Sequence, residues 1–133
     1  MIIIKILTNT TFIKESDVAM DRKKELKELY KSMKPDMGVF SIKSNSSNKY
    51  YVEGSHDLKA AINSTKFKLN FGNYPNNELQ KDWKEKGEED FTIEILEKLK
   101  YDEDESKTDY SEELEILEMV WKERLSKEGA KFY

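Results

Sequence analysis

The chain of 133 residues carries a formal net charge of −4, with 38% charged and 11% aromatic side chains, which excludes a disordered chain and fits one compact domain. It contains no cysteine and a single histidine, His56, which excludes disulfides and thiolate metal sites and argues against a histidine-based zinc site. No apolar run approaches the length of a membrane span, and the start lacks a small-residue cleavage site, so we expect a cytoplasmic protein without a membrane partner.

The first 19 residues differ in character from the rest of the chain. Residues 2–7 are rich in isoleucine and could form an edge strand, while Met20 is followed by a strongly charged segment typical of a helix start. We therefore predict one domain over residues 20–133, preceded by an extension over residues 1–19. That extension is either an edge strand or a dispensable addition ahead of a natural start at Met20.

A helix is predicted from Asp21 to Lys34, where Pro35 ends it. Large apolar side chains recur on one side of this helix at helical spacing, which favours packing against a core. They are Leu26, Leu29, Tyr30 and Met33.

Two short runs after this helix predict a β-hairpin. Gly38–Lys43 alternates apolar with polar residues, Asn45–Asn48 is rich in turn formers, and Tyr50–Val52 is rich in strand formers. Gly54 is expected to break the second strand.

The remainder of the chain is predicted to add three helices and a third strand. In order, the segments are a helix carrying Leu58 to Thr65, a short helix from Asn76 or Asn77 to Gly87, a strand over Phe91–Ile95, an acidic loop over Tyr101–Asp109, and a long helix that ends near Lys127. The resulting order α-β-β-α-α-β-α predicts a small α/β (α+β) fold, in which a three-stranded, mainly antiparallel sheet is flanked by helices.

The hairpin carries two tripeptides, Gly38-Val39-Phe40 and Tyr51-Val52-Glu53, and a third strand and a glutamate-containing helix follow later in the chain. Taken in this order, from about Met33 to Leu125, these features resemble the GIY-YIG nuclease superfamily, whose two tripeptides lie on the first two strands. The final helix adds Glu118 to the resemblance.

The resemblance implies an enzyme that cuts DNA strands with one divalent metal ion. It implies that Glu118 holds the metal, that Tyr51 positions or activates the attacking water, and that an arginine on the helix after the second strand binds the scissile phosphate. Such a cation must be preorganised because the transition state gathers negative charge on phosphate oxygens. DNA is therefore the expected partner, and weakly bound Mg²⁺ or Mn²⁺ the expected cofactor.

Three positions depart from the pattern of this superfamily. Phe40 replaces the tyrosine of the first tripeptide, Glu53 replaces the glycine of the second, and Ala61 falls at the arginine position. The two arginines of the chain, Arg22 and Arg124, lie elsewhere. Losing a transition-state arginine typically costs about 10³ to 10⁵ in rate, so efficient cleavage is not expected.

Charge is unevenly distributed along the chain. Residues 43–86 contain eight lysines against five acidic residues, whereas residues 87–129 contain six basic residues against sixteen acidic ones. The basic middle allows one face of the protein to bind nucleic acid. The lysines expected to contact phosphates there are Lys59, Lys66 and Lys68.

Three functions remain open on the sequence alone. The first is a degenerate nuclease-like domain that binds nucleic acid without efficient cleavage. The second is an active metal-dependent endonuclease with a site rebuilt around Tyr51, Glu118 and a lysine. The third is a protein-interaction module whose groove, lined by Phe40 and Ala61, accepts a peptide or a helix. A fold cannot choose among them because function belongs to the site, and the oligomeric state also stays open.

Overall fold

The computed structural model describes the backbone of residues 15–133, and the side chains of residues 21–29 and 33–133. Within that range four α-helices and four strands follow one another, with a short 3₁₀ turn at Glu88–Asp90. They are α1 (Glu15–Met33), β1 (Met37–Ser44), β2 (Lys49–Ser55), α2 (Leu58–Phe71), α3 (Asn77–Lys86), β3 (Phe91–Leu99), α4 (Ser111–Lys127) and β4 (Lys131–Phe132). The edge strand predicted over residues 2–7 lies outside the described residues.

The chain divides into two units after Lys34. In the first unit, α1 runs across the predicted domain boundary between residues 19 and 20, and that boundary stays a prediction. The side chains of Leu26, Leu29 and Met33 are largely exposed, and the expected packing of this helix face against a core stays a prediction. The three apolar clusters of the second unit consist of residues from Met37 onward.

The second unit, Pro35–Tyr133, is built on a four-stranded sheet in the order β3-β1-β2-β4. β1 is central and pairs antiparallel with both β2 and β3, which confirms the predicted mixed α/β fold and its antiparallel sheet. The two-residue strand β4 pairs parallel with the start of β2 and was not predicted, because two residues are too few to show a periodicity.

Apolar side chains on the two faces of β1 alternate, as the pleat of a strand requires. Phe40 and Ile42 pack against Leu58 of α2 and Trp83 of α3. Val39, on the opposite face, packs in a second cluster whose buried members include Leu125 of α4. The sheet therefore has α2 and α3 on one face and α4 on the other. No described helix combines the length and the apolar character needed to cross a membrane.

Two glycines allow close backbone packing around β1 and β2. A Cβ at Gly38 would overlap the backbone carbonyl oxygen of Glu97 on β3. Gly54 pairs with Val39 inside β2, and a Cβ there would lie 3.2 Å from the carbonyl oxygen of Leu114 on α4. The prediction that Gly54 breaks the strand is wrong, because the absence of a side chain lets α4 pack directly on the paired strand.

Side-chain and glycine caps mark the ends of α2 and α3. The Asp57 carboxylate accepts a hydrogen bond from the N–H of Ala60 at the start of α2, and Asn76 does the same for Leu79 in α3. Gly72 ends α2 with a φ of 85° and donates its N–H to the helix carbonyls. These caps fix the ends of both helices beside the cavities described below.

Candidate functional site

A cavity of about 480 Å³ lies between β2 and α2. Its lining includes Tyr51, Glu53, Ala61, Thr65, Lys68 and Tyr74, and we call it the tyrosine cavity. Tyr51 and Glu53 are two residues apart on β2, so they share one face of the strand. Ala61, Thr65 and Lys68 recur at helical spacing along α2 and therefore share one side of that helix.

Two tyrosine rings form one wall of the tyrosine cavity. The rings of Tyr51 and Tyr74 stand at 88° with their centroids 5.8 Å apart, the edge-to-face arrangement that aromatic pairs prefer. Burial is the main cause that raises the pKa of the Tyr51 hydroxyl, with the hydrogen bond to Tyr74 next. Burial likewise raises the pKa of Tyr74. Both shifts favour the protonated hydroxyl, the form that can donate a hydrogen bond.

One carboxylate, that of Glu53, lines this cavity, and the charge of Glu118 is near enough to affect it. Burial raises the pKa of Glu53, and the nearby charge of Glu118 raises it further, against the opposing effects of the Tyr51 hydrogen bond and of Lys68. The Tyr51 hydroxyl donates to Glu53 Oε1 over 3.4 Å, a long hydrogen bond. A phosphate that enters the cavity would approach Glu53 directly, so this carboxylate opposes anion binding.

Glu118 has a partner at each carboxylate oxygen. Its Oε2 accepts from the N–H of Gly54 at 3.2 Å, and its Oε1 lies 2.9 Å from Nζ of Lys122, one turn along α4. Among the described residues no group of three or more histidine, cysteine, aspartate or glutamate side chains is placed to hold a metal ion. The side chains around Glu118 therefore do not form a preorganised set of metal ligands. The weak Mg²⁺ or Mn²⁺ binding expected at Glu118 stays a prediction.

The three lysines predicted to contact phosphates lie in different surroundings. Lys68 lines the tyrosine cavity. Lys66 forms an ion pair with Glu88, with 3.4 Å between Nζ and Oε1, and Lys59 lines a separate cavity with Ile62. Of the predicted site residues, Tyr51 and Lys68 therefore line the tyrosine cavity. Glu118 does not line it, but it accepts a hydrogen bond from Gly54 and its charge raises the pKa of Glu53. Their roles in binding or catalysis stay predictions.

The departures from the family pattern have distinct structural consequences. Phe40 is fully buried in the core, so it does not line the groove predicted for a peptide partner. Ala61 does line the tyrosine cavity, where it offers a methyl group. Arg124 lies over the ring of Trp121, 4.4 Å from its centroid, and Arg22 belongs to α1.

Two residues of this region were not predicted from the sequence to belong to it. Tyr74 lies in the loop after α2, between Gly72 and Pro75, where no helical or strand period marks a position as facing a cavity. Gly54 provides the close contact between β2 and α4, one residue after the position at which the resemblance implies a glycine. The position of Gly54 directly after the second tripeptide was the feature of the sequence that could have indicated this contact.

No protein-family model and no curated protein matches the chain. Two solved structures do match it. The catalytic domain of homing endonuclease I-TevI is 23% identical with a TM-score of 0.57, and the match covers 71% of this chain and 94% of that domain. A mutant of the catalytic domain of intron endonuclease I-TevI is 20% identical with a TM-score of 0.58, and that match covers 74% of this chain and 92% of the mutant domain. At this identity the similarity shows a shared fold.

Proposed function

We propose that this chain, a nuclease-like domain with the GIY-YIG-like fold of the I-TevI catalytic domain, binds nucleic acid without cutting it efficiently. The observation that supports inefficient cleavage is the chemistry of the tyrosine cavity. It presents the methyl group of Ala61 and the carboxylate of Glu53 together with a single lysine, Lys68.

Phosphodiester cleavage needs positive charge where the transition state becomes more negative. Lys68 supplies a point charge, but it lacks the planar fork with which an arginine contacts two phosphate oxygens at once. Glu53 is near enough to Lys68 for their charges to interact, so part of that positive charge is already neutralised. We therefore expect cleavage slower by about 10³-fold or more than in an enzyme with the arginine.

Nucleic-acid binding is supported by the charge of α2. This helix contains Lys59, Lys66 and Lys68 and no acidic residue between Leu58 and Phe71, so it projects a positive potential that attracts phosphates. Binding of this kind requires neither a metal nor a guanidinium group, since lysines release counterions from the nucleic-acid backbone without base contacts.

A second function, protein interaction, is favoured by one feature of the tyrosine cavity. The perpendicular rings of Tyr51 and Tyr74 lie beside the half-buried carboxylate of Glu53. Aromatic faces next to a carboxylate attract a cation, so an arginine or lysine side chain of a partner peptide would fit this wall. Lys68 on the opposite side disfavours the same ligand, which makes this the weaker proposal.

The two proposals are separated by a plasmid-nicking and branched-DNA cleavage assay in Mg²⁺ and in Mn²⁺, with a gel-shift alongside. We expect the wild-type chain to shift DNA and leave it uncut. The double variant Glu53→Gly with Ala61→Arg removes the carboxylate and adds a guanidinium group. It should gain nicking activity, which Glu118→Ala should then abolish.

A matched control for that variant is Ala60→Arg, which adds the same charge to the exposed neighbouring position of α2. It should leave DNA uncut. Robust cleavage by the wild-type chain would overturn the degenerate-site proposal and favour the rebuilt endonuclease. Absence of any gel-shift would remove nucleic-acid binding and leave the peptide proposal.

A further inference from the structure

Two aromatic rings stand exposed at the end of α2. Phe67 and Phe71 are 65% and 73% exposed, although large apolar rings in a domain with an available core are normally buried. The rings stack on one another, with centroids 5.3 Å apart and planes 24° from parallel. Because both rings are mostly exposed, the faces turned away from the stack are open to solvent.

An open depression of about 660 Å³ adjoins this pair. Residues at the end of α2 and along α3 line it, among them Phe71, Asn70, Asn77, Gln80, Lys81 and Lys84. We call Phe67, Phe71, Lys81 and Lys84 together the phenylalanine–lysine surface.

The two lysines of this surface differ from their neighbours. Within the described part of the chain, neither Lys81 nor Lys84 forms an ion pair, whereas Lys86 pairs with Asp82 and Lys66 with Glu88. Glu88 also lines the depression, but the Lys66 ion pair partly neutralises its charge. The depression therefore combines aromatic faces with lysine charges that are free to meet an anion.

We propose that the phenylalanine–lysine surface binds single-stranded nucleic acid, with bases stacked on Phe67 and Phe71 and phosphates against Lys81 and Lys84. The inference rests on the proposed nucleic-acid binding and names the class of substrate. Aromatic platforms beside positive charge bind single strands with little sequence preference, because every base has a π-face.

The exposed rings are what select a single strand over a duplex. In a double helix the bases stack on one another and turn only their edges toward the grooves, so a protein ring finds no base face to stack on. Lysines alone would bind either form. A hydrophobic peptide would use the rings, yet it would gain nothing from the lysines.

The test measures fluorescence anisotropy of a labelled oligonucleotide of about twelve nucleotides, as a single strand and as its duplex. We expect the full chain to bind the single strand about tenfold more tightly than the duplex. Phe71→Ala should weaken single-strand binding about tenfold, the typical loss of one stacked base. The variant should fold normally, as circular dichroism would check, because the ring is mostly exposed.

The lysine arm of the experiment uses salt dependence. The double variant Lys81→Gln with Lys84→Gln should make the negative slope of log affinity against log salt less steep by about 1.4 for single strands. Matched controls are Lys100→Gln with Lys127→Gln for charge, and Met119→Ala for an exposed apolar side chain on α4. Both controls should bind as the wild type does.

The outcomes separate the stacking inference from the proposed nucleic-acid binding. Equal affinity for single strand and duplex, with no effect of Phe71→Ala, overturns the stacking inference but leaves nucleic-acid binding intact. Loss of affinity in the lysine variant alone does the same, because it indicates contacts to phosphates without stacking. Failure to bind either form overturns both the inference and the proposed function.

Discussion

The tyrosine cavity and the phenylalanine–lysine surface share helix α2, yet they differ in burial and in charge. The first has half-buried tyrosines and the carboxylate of Glu53, whose pKa is raised by burial and by Glu118. The second has exposed rings and the lysines Lys81 and Lys84 without ion pairs among the described residues. We therefore expect a phosphate to bind more readily at the phenylalanine–lysine surface than in the tyrosine cavity.

The largest expected effect is a loss of stability of the whole second unit, which contains both regions. Gly38→Ala would drive a Cβ into the backbone carbonyl oxygen of Glu97, so β3 and the start of β1 would have to separate. We expect the free energy of unfolding to fall by about 3 kcal/mol or more, measured by urea denaturation. Gly129→Ala is the control, because its φ of 90° adds backbone strain while nothing lies within 4 Å of its Cβ. An equal loss in the two variants would contradict the steric explanation.

A smaller effect should separate the two regions. Gly54→Ala places a Cβ 3.2 Å from the carbonyl oxygen of Leu114 and 3.6 Å from Glu118 Oε2, so α4 must shift by a few tenths of an ångström. We expect a loss of about 1 kcal/mol in stability with unchanged affinity for single-stranded DNA. Stability equal to that of the wild type would show that α4 does not depend on this contact. A matching loss of DNA affinity would show that the two regions are coupled.

The smallest effect is a pH dependence that belongs to the tyrosine cavity alone. The pKa of Glu53 is raised in the folded state from its ordinary value of 4.5, so the folded protein binds this proton more tightly than the unfolded chain does. Its contribution to stability is therefore greatest at low pH and falls as pH rises through the interval between 4.5 and the raised pKa.

Glu53→Gln should remove that component, raising the thermal midpoint at neutral pH and changing it little at pH 4. DNA affinity at the phenylalanine–lysine surface should not change. A variant that is less stable than the wild type at neutral pH would show that the charged carboxylate stabilises the fold, against the stated direction.

The sequence predicted the hairpin and the helices of the second unit well, because their signals are local. Asp57, Asn76, Gly72 and Gly87 act as helix boundaries through their own backbone and side-chain chemistry. Gly54 shows the limit of such reasoning. A glycine weakens an isolated strand, yet here a contact with α4, remote in the sequence, keeps it in the strand.

The candidate site was only partly predictable for the same reason. Tyr51 and Lys68 reach the tyrosine cavity from positions that strand and helix periods bring together. Tyr74 arrives from a loop, and Glu118 is oriented by the N–H of Gly54, and neither contact has a periodic signal. The exposure of Phe67 and Phe71 was also outside sequence reasoning, since an apolar residue in a helix is ordinarily assigned to the core.

The most direct test of the central claim is to reverse one charge in each region and compare single-strand affinity at about 50 mM salt. Lys84→Glu changes the phenylalanine–lysine surface, and Lys68→Glu makes the same change in charge at the tyrosine cavity, with Lys127→Glu as the background control. We predict about a tenfold loss for Lys84→Glu, and for Lys68→Glu a smaller loss, because it lowers the positive potential of α2 without removing a phosphate contact. A loss for Lys68→Glu equal to or greater than that for Lys84→Glu would contradict the claim and place the phosphates in the tyrosine cavity.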